Sequence, residues 1–147
     1  MIYTVSEMAK LLNIPASTLR YYDREGLLPF VERSESGIRI FKDEDYRWLK
    51  LISCLKNAGM SLKKIRRYIE MAMKGDETID ERLQMFIDQR EQIQSQIAEL
   101  QQTLDVVEYK CWYYQTAKDT GSEDVPKNMK DEELPEQFRG TRRALRG

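Results

Sequence analysis

No histidine occurs anywhere in the 147 residues. That removes His-based metal sites, Ser–His and Cys–His nucleophile pairs and histidine proton shuttles. Most hydrolase and metalloenzyme chemistry goes with them, and the expectation is a non-enzyme without metal or cofactor. Cysteine is nearly absent: Cys54 and Cys111 are too few for a disulfide scaffold. Apolar runs last only a few residues, against the ~20 that a bilayer span needs. The opening residues, Met1 to Lys10, lack the basic and apolar regions of a secretory signal. A cytosolic protein with no membrane partner is therefore expected. What is present is 41% hydrophobic residues, enough for a packed core in one domain of ordinary size plus an extension.

The formal charge of −1 hides an asymmetry. Residues 1–74 hold 14 Lys and Arg against 9 Asp and Glu, a net +5; residues 75–147 hold 10 against 16, a net −6. A basic half joined to an acidic half points to a polyanion as partner of the first, against the plainer reading of chance segregation of solvated charge. Punctuation divides the chain at the same place. Gly26, Pro29, Gly37, Gly59 and Gly75 interrupt the first half, whereas Asp76 to Thr120 contains neither Gly nor Pro. Three segments follow: 1–75 as short elements, 76–120 as one long helix, and 121–147 as a polar, disordered tail carrying Pro126, Pro135 and Gly140.

In the first segment, Thr4-Val5-Ser6-Glu7 is a capping box, followed by the apolar stripe Met8, Leu11 and Leu12. Asn13-Ile14-Pro15 breaks that helix, and a second runs from Ala16 through Arg24 toward Gly26. Two short helices joined by a tight turn are a helix-turn-helix by spacing. Thr18, Arg20, Tyr21, Tyr22 and Arg24 crowd donors suited to base edges and phosphates onto the second helix, with one of the two tyrosines expected in the core. Ile38, Ile40 and Phe41 are strand formers and Ser36-Gly37 is turn chemistry, so a small hairpin would present Arg33 and Arg39 beside that helix as a basic wing. A further helical pair follows. The first buries Trp48, Leu49, Ile52 and Leu55 and ends at Asn57-Ala58-Gly59-Met60. The second is capped by Ser61 and buries Leu62, Ile65, Tyr68 and Ile69, leaving Lys63 and Lys64 outside.

Three stretches together resemble the MerR family of bacterial transcription regulators: Thr-Leu-Arg-Tyr-Tyr-Asp-Arg-Glu-Gly-Leu-Leu (18–28), Gly-x-Arg-x-Phe (37–41) and Asn-Ala-Gly-Met-Ser-Leu (57–62). The resemblance implies a mainly α fold, a winged helix-turn-helix domain followed by a long dimerisation helix. It implies that Arg20, Tyr21 and Tyr22 lie on the recognition helix. Arg39 would meet phosphate, and the 57–62 corner, with Asn57, Met60, Ser61, Lys63 and Lys64, would touch backbone as a second wing. It implies a homodimer on double-stranded promoter DNA in the bacterial cytoplasm and nucleoid, which distorts the promoter so that RNA polymerase can engage it. Two departures stand out. Pro15 replaces the usual Ser or Thr cap, and Lys64 replaces the usual acid three residues after Ser61.

From Leu83 the apolar spacing alternates three and four: Leu83, Phe86, Arg90, Ile93, Ile97, Leu100, Leu104, Val107, Cys111, Tyr114. Sustained over more than four heptads, that is a coiled-coil seam, and only Arg90 breaks it. The alternative is a helix folded back on its own domain. The heptad does not set strand direction; the family resemblance implies an antiparallel pair.

The features that drive metal sensing in many relatives are missing. Residues 76–82 and the tail hold no Cys. Some 27 polar residues after Gly121 are too few for a ligand-binding domain. Cys54 remains, in a context that resembles the aldehyde- and nitrosative-stress-responsive subgroup, where a Cys at this place reacts with electrophiles. It shares a helical stripe with Arg47 and Lys50, and nearby cations favour the thiolate. A small residue at the edge of the core is the equally open alternative. Cys111 reads as a packing residue of the seam. Two rivals stay open: a regulator that binds a small molecule through Tyr109, Trp112, Tyr113 and Tyr114, and a coiled-coil adaptor whose helix-turn-helix no longer binds DNA.

Overall fold

A computed structural model describes residues 1–146. They fall into two compact units, Met1–Arg90 and the residues from Glu91 onward. The first boundary expected from composition, at 75/76, is therefore displaced: the opening turns of the long helix pack on the first unit through Met85 and Phe86.

The first unit begins with β1 (Ile2–Tyr3), α1 (Val5–Leu12) and α2 (Ala16–Arg24). The Thr4 capping box forms: its hydroxyl accepts from the Glu7 N–H at 3.2 Å, and the Glu7 carboxylate accepts from the Thr4 N–H at 2.8 Å. Asn13 closes α1 in the left-handed region, at φ 55°. Met8, Ala9 and Leu12 are the buried face of α1; Leu11, expected in the stripe, is exposed. Pro15 leaves the start of α2 with no side-chain cap. Strands β2 (Glu32–Arg33) and β3 (Arg39–Lys42) form the hairpin, with Glu32 opposite Ile40 and Arg33 opposite Arg39. Ile38, read as a strand former, lies exposed in the hairpin loop, where Gly37 takes φ +84°. The order β1-β3-β2 adds a strand that hydropathy did not reveal, because a two-residue strand carries no periodicity.

Helices α3 (Asp43–Asn57) and α4 (Leu62–Lys74) complete the unit. Ser61 caps α4 by accepting from the Lys64 N–H at 3.2 Å, and Lys64 returns no carboxylate, so the box is half made. Leu19, Leu27, Phe41, Leu49 and Ile65 are fully buried at the centre. Phe30, Trp48, Tyr68 and Phe86 form an aromatic chain with centroid spacings of 5.6, 6.0 and 5.0 Å, stacked at the first pair, tilted at the second and edge-on at the third.

Helix α5 (Ile79–Thr120) has 42 residues, about 60 Å at ~1.5 Å each. After it come α6 (Asp124–Asn128) and α7 (Glu136–Arg146), with a 3-10 turn at Asp131–Glu133. The expected disordered tail is thus folded up to Arg146. Leu134 and Phe138 pack on Tyr109 and Tyr113 of α5. Arginines of α7 hold the connecting carbonyls: Arg139 donates to Leu134 and Glu132, and Arg142, itself buried, donates to Met129. A polar composition hid this unit because its core needs few apolar side chains and arginine supplies the remaining bonds.

Candidate nucleic-acid interface

Helix α2 divides its residues by face. Leu19 and Tyr22 are the buried positions, with Tyr22 2% exposed. Arg20, Tyr21 and Arg24 are exposed, and Thr18 is half-buried. The Arg24 guanidinium lies 6.0 Å from the Tyr21 ring centroid, a cation–π distance that holds both side chains on the open face. Tyr22 is the core tyrosine of the pair; its ring packs inward and carries Lys56 Nζ at 5.4 Å. Its place among the expected DNA contacts is therefore withdrawn, because a buried ring orients the helix but offers no open donor.

The wing stands against the same helix. Arg33 donates to the Gly37 carbonyl at 2.9 Å and to Asp23 Oδ2 at 2.7 Å. Arg39, partly buried, donates through Nη2 to the same Asp23 oxygen, and its Nε is buried without a partner. Both expected phosphate contacts are thus gathered by one carboxylate that sequence reasoning passed over. The clue was an acid inside an otherwise cationic helix. The hairpin tip closes with Ser34 N–H to the Ile38 carbonyl at 2.8 Å and Gly37 N–H to the Ser34 carbonyl at 2.9 Å.

The second corner lies between α3 and α4. Gly59 turns it at φ +89°. Asn57, Ser61, Lys63 and Lys64 are exposed, whereas Met60 is 4% exposed and belongs to the core. Met60 is thus corrected from contact to anchor. Gln89 of α5 is buried and donates to the Ala58 carbonyl at 3.1 Å, a tie between the long helix and this corner. Arg66 donates to the Glu25 carbonyl just past α2, at 3.4 Å. Neither link has a periodicity signature.

Cys54 is a free, exposed thiol on the outer side of α3, with Arg47 and Lys50 exposed on the same helix. Its carbonyl accepts the Ala58 N–H at 3.0 Å. Cys111 is also free and exposed. On α5, Leu83, Ile97, Leu100, Leu104, Val107 and Tyr114 are between 46% and 69% exposed, so their stripe has no cover from this chain. Ile93 is half-buried, and Phe86 leaves the expected seam to meet Tyr68 edge-on at 5.0 Å. The aromatic set proposed as a ligand pocket is filled from within. Phe138 lies 5.9 Å from Tyr109 and 5.6 Å from Trp112, and Leu134 is 1% exposed among them.

Among the described residues, no group of three metal-ligating carboxylate or thiol side chains assembles, and no helix is long and apolar enough to cross a membrane. A short helix bearing open cationic and phenolic donors, braced by a basic hairpin, defines a winged helix-turn-helix DNA-binding protein. The match to known proteins sharpens that class. The family model for the MerR HTH family regulatory proteins matches residues 3–72, and that for the MerR DNA-binding region matches residues 46–108. The chain belongs to the MerR family. It is 52% identical over 122 residues to an uncharacterized HTH-type transcriptional regulator of Haemophilus influenzae, covering 83% of this chain and 90% of that one. It is 38% identical over 89 residues to the HTH-type transcriptional regulator AdhR of Bacillus subtilis, covering 60% and 64%. Its fold superposes with a TM-score of 0.76 and 51% identity on HiNmlR, a MerR family regulator lacking the sensor domain, crystallised bound to promoter DNA; the match covers 85% of this chain and 99% of that one. The protein is a DNA-binding transcriptional regulator and not an enzyme.

Proposed function

We propose that this regulator reads promoter DNA with the open face of α2 and clamps the flanking backbone with its wing. Arg20, Tyr21, Arg24 and Thr18 face the groove; Arg33, Arg39 and the Gly37 turn lie over phosphates; Asn57, Ser61, Lys63 and Lys64 form the second backbone contact. The observation that carries this reading is the division of α2, with Leu19 and Tyr22 inside and three long donors outside. The uncovered stripe on α5 supports a homodimer, with a second copy laid antiparallel along it and one DNA-binding unit at each end. Two such units on one duplex distort the promoter, which RNA polymerase then engages, in the cytoplasm and on the nucleoid. Cys54, an exposed thiol on the helix that also carries Arg47 and Lys50, is in this reading the site at which electrophiles switch the protein.

The placement is tested on a duplex that the wild-type protein selects from a random-sequence pool. Arg20→Ala should weaken binding by about 1–3 kcal/mol there and by less on unselected DNA, as a base contact does. Arg39→Ala should weaken both and flatten the salt dependence. Equal binding by the double variant and wild type on both duplexes rejects this face as the DNA surface.

A further inference from the structure

Asp23 is out of keeping with its surroundings. It lies in the last turn of α2, where the helix dipole disfavours an anion, on the helix that the proposed function lays against DNA. Arg20 stands one turn earlier on the same side, at the i, i+3 spacing that makes helix neighbours. The Asp23 carboxylate takes two guanidinium groups on a single oxygen, Arg33 at 2.7 Å and Arg39 beside it. Those two arginines are register partners across β2 and β3. Without a counterion, like charges directly opposite one another would push the hairpin apart. The carboxylate also joins the wing to the helix. Among the described residues, Arg39 has no other side-chain hydrogen bond, so Asp23 alone aims its guanidinium.

We propose that Asp23 is a positioning residue for sequence discrimination. It holds the wing arginines at a set reach from Arg20, so that a duplex whose backbone and base edges both fit is favoured over one that offers phosphate alone. The inference rests on α2 and the wing being the DNA-contacting elements. Charge by itself gives the opposite sign for affinity: removing one anion from a cationic surface tightens binding to any duplex and steepens its salt dependence. Positioning and charge are therefore separable in the ratio of two affinities.

The experiment compares wild type, Asp23→Asn, Asp23→Glu and Arg39→Ala in the full chain. Each is titrated at several salt concentrations onto the selected duplex and a scrambled duplex of equal length and composition, and thermal unfolding is recorded alongside. Asp23→Asn should bind the scrambled duplex more tightly, with a salt slope steeper by about one phosphate contact. Its preference for the selected duplex should drop about tenfold. Asp23→Glu, which keeps the anion on a longer arm, should recover part of that preference. A preference unchanged in Asp23→Asn overturns the proposal, whether both affinities rise together, as pure charge would have it, or fall together with the unfolding temperature, as a merely structural role would. If Arg39→Ala weakens binding to both duplexes while Asp23→Asn keeps the preference, Asp23 alone is misassigned. If Arg39→Ala changes neither, the wing is not at the DNA, and both readings fall.

Discussion

The first unit and the middle of α5 use the same apolar residue types to opposite ends. In the first unit, Leu19, Leu27, Leu49 and Ile65 are fully shielded, each covered by elements of its own chain. On α5, Ile97 and Leu100 are 60% and 69% exposed. Burying apolar area is worth roughly 25 cal/mol per Å² wherever the cover comes from, so the difference lies only in who supplies it. The contrast is that the first unit buries its apolar residues within its own chain, whereas the long helix leaves a stripe open, which the proposed second copy would cover.

The strongest way to break this contrast is to charge the uncovered stripe. Ile97→Asp with Leu100→Asp would leave anions facing each other in the proposed interface, at a cost of several kcal/mol. Sedimentation should report monomer at micromolar concentration, and binding to a duplex with two half-sites should collapse to that of independent units. A wild-type protein that is itself monomeric there would remove the reason for the exposed stripe. Core truncations come next. Leu49→Ala should cost about 2–5 kcal/mol and Phe138→Ala about 3–5 kcal/mol, the second by uncovering Tyr109 and Trp112 of the C-terminal unit. Chemical unfolding followed by tryptophan fluorescence checks both. A Phe138→Ala protein as stable as wild type would return residues 121–146 to the tail that their composition suggests.

The two thiols sharpen the comparison without destabilising anything. Both are exposed on a single chain, but the proposed dimer along the α5 stripe would cover Cys111 and leave Cys54 open. Iodoacetamide should label Cys54 several-fold faster in wild type, and the Ile97→Asp/Leu100→Asp variant should lose most of that difference. In a promoter reporter challenged with formaldehyde or methylglyoxal, Cys54→Ser should lose the response while Cys111→Ser keeps it. The smallest effect concerns the edge of the first unit. The Tyr3 hydroxyl donates to Asp43 at 2.8 Å and holds that carboxyl below its ordinary value. A carboxyl lowered in the folded state stabilises it above the unfolded value and stops doing so as pH falls through the folded one. The Asp43 carboxyl resonance should therefore titrate at lower pH in wild type than in Tyr3→Phe, with little change in the unfolding midpoint at neutral pH.

How much of this was legible beforehand follows from the reach of each signal. Caps, helical stripes and turn residues act within four or five positions, so Thr4 with Glu7, Ser61, the α3 and α4 stripes and the Ser36-Gly37 turn could be read directly. The 3-4 spacing from Leu83 to Tyr114 marked the long helix for the same reason. Periodicity names a face and is silent on its cover. It could not tell that Phe86 meets Tyr68, that Leu11 stays outside, or which of Tyr21 and Tyr22 turns inward. Links between distant residues leave no local trace at all: Asp23 with Arg33 and Arg39, Gln89 with the Ala58 carbonyl, Arg142 with Met129. The sequence by itself determined the helices and hairpin of the first unit, the long helix, the basic first half and the family, because short-range sterics, capping and charge are properties of neighbours in the chain. Only the tertiary structure decided which donors stay open to solvent, what holds the wing in place, and that the last residues fold, because burial and salt bridges depend on which segments meet in space.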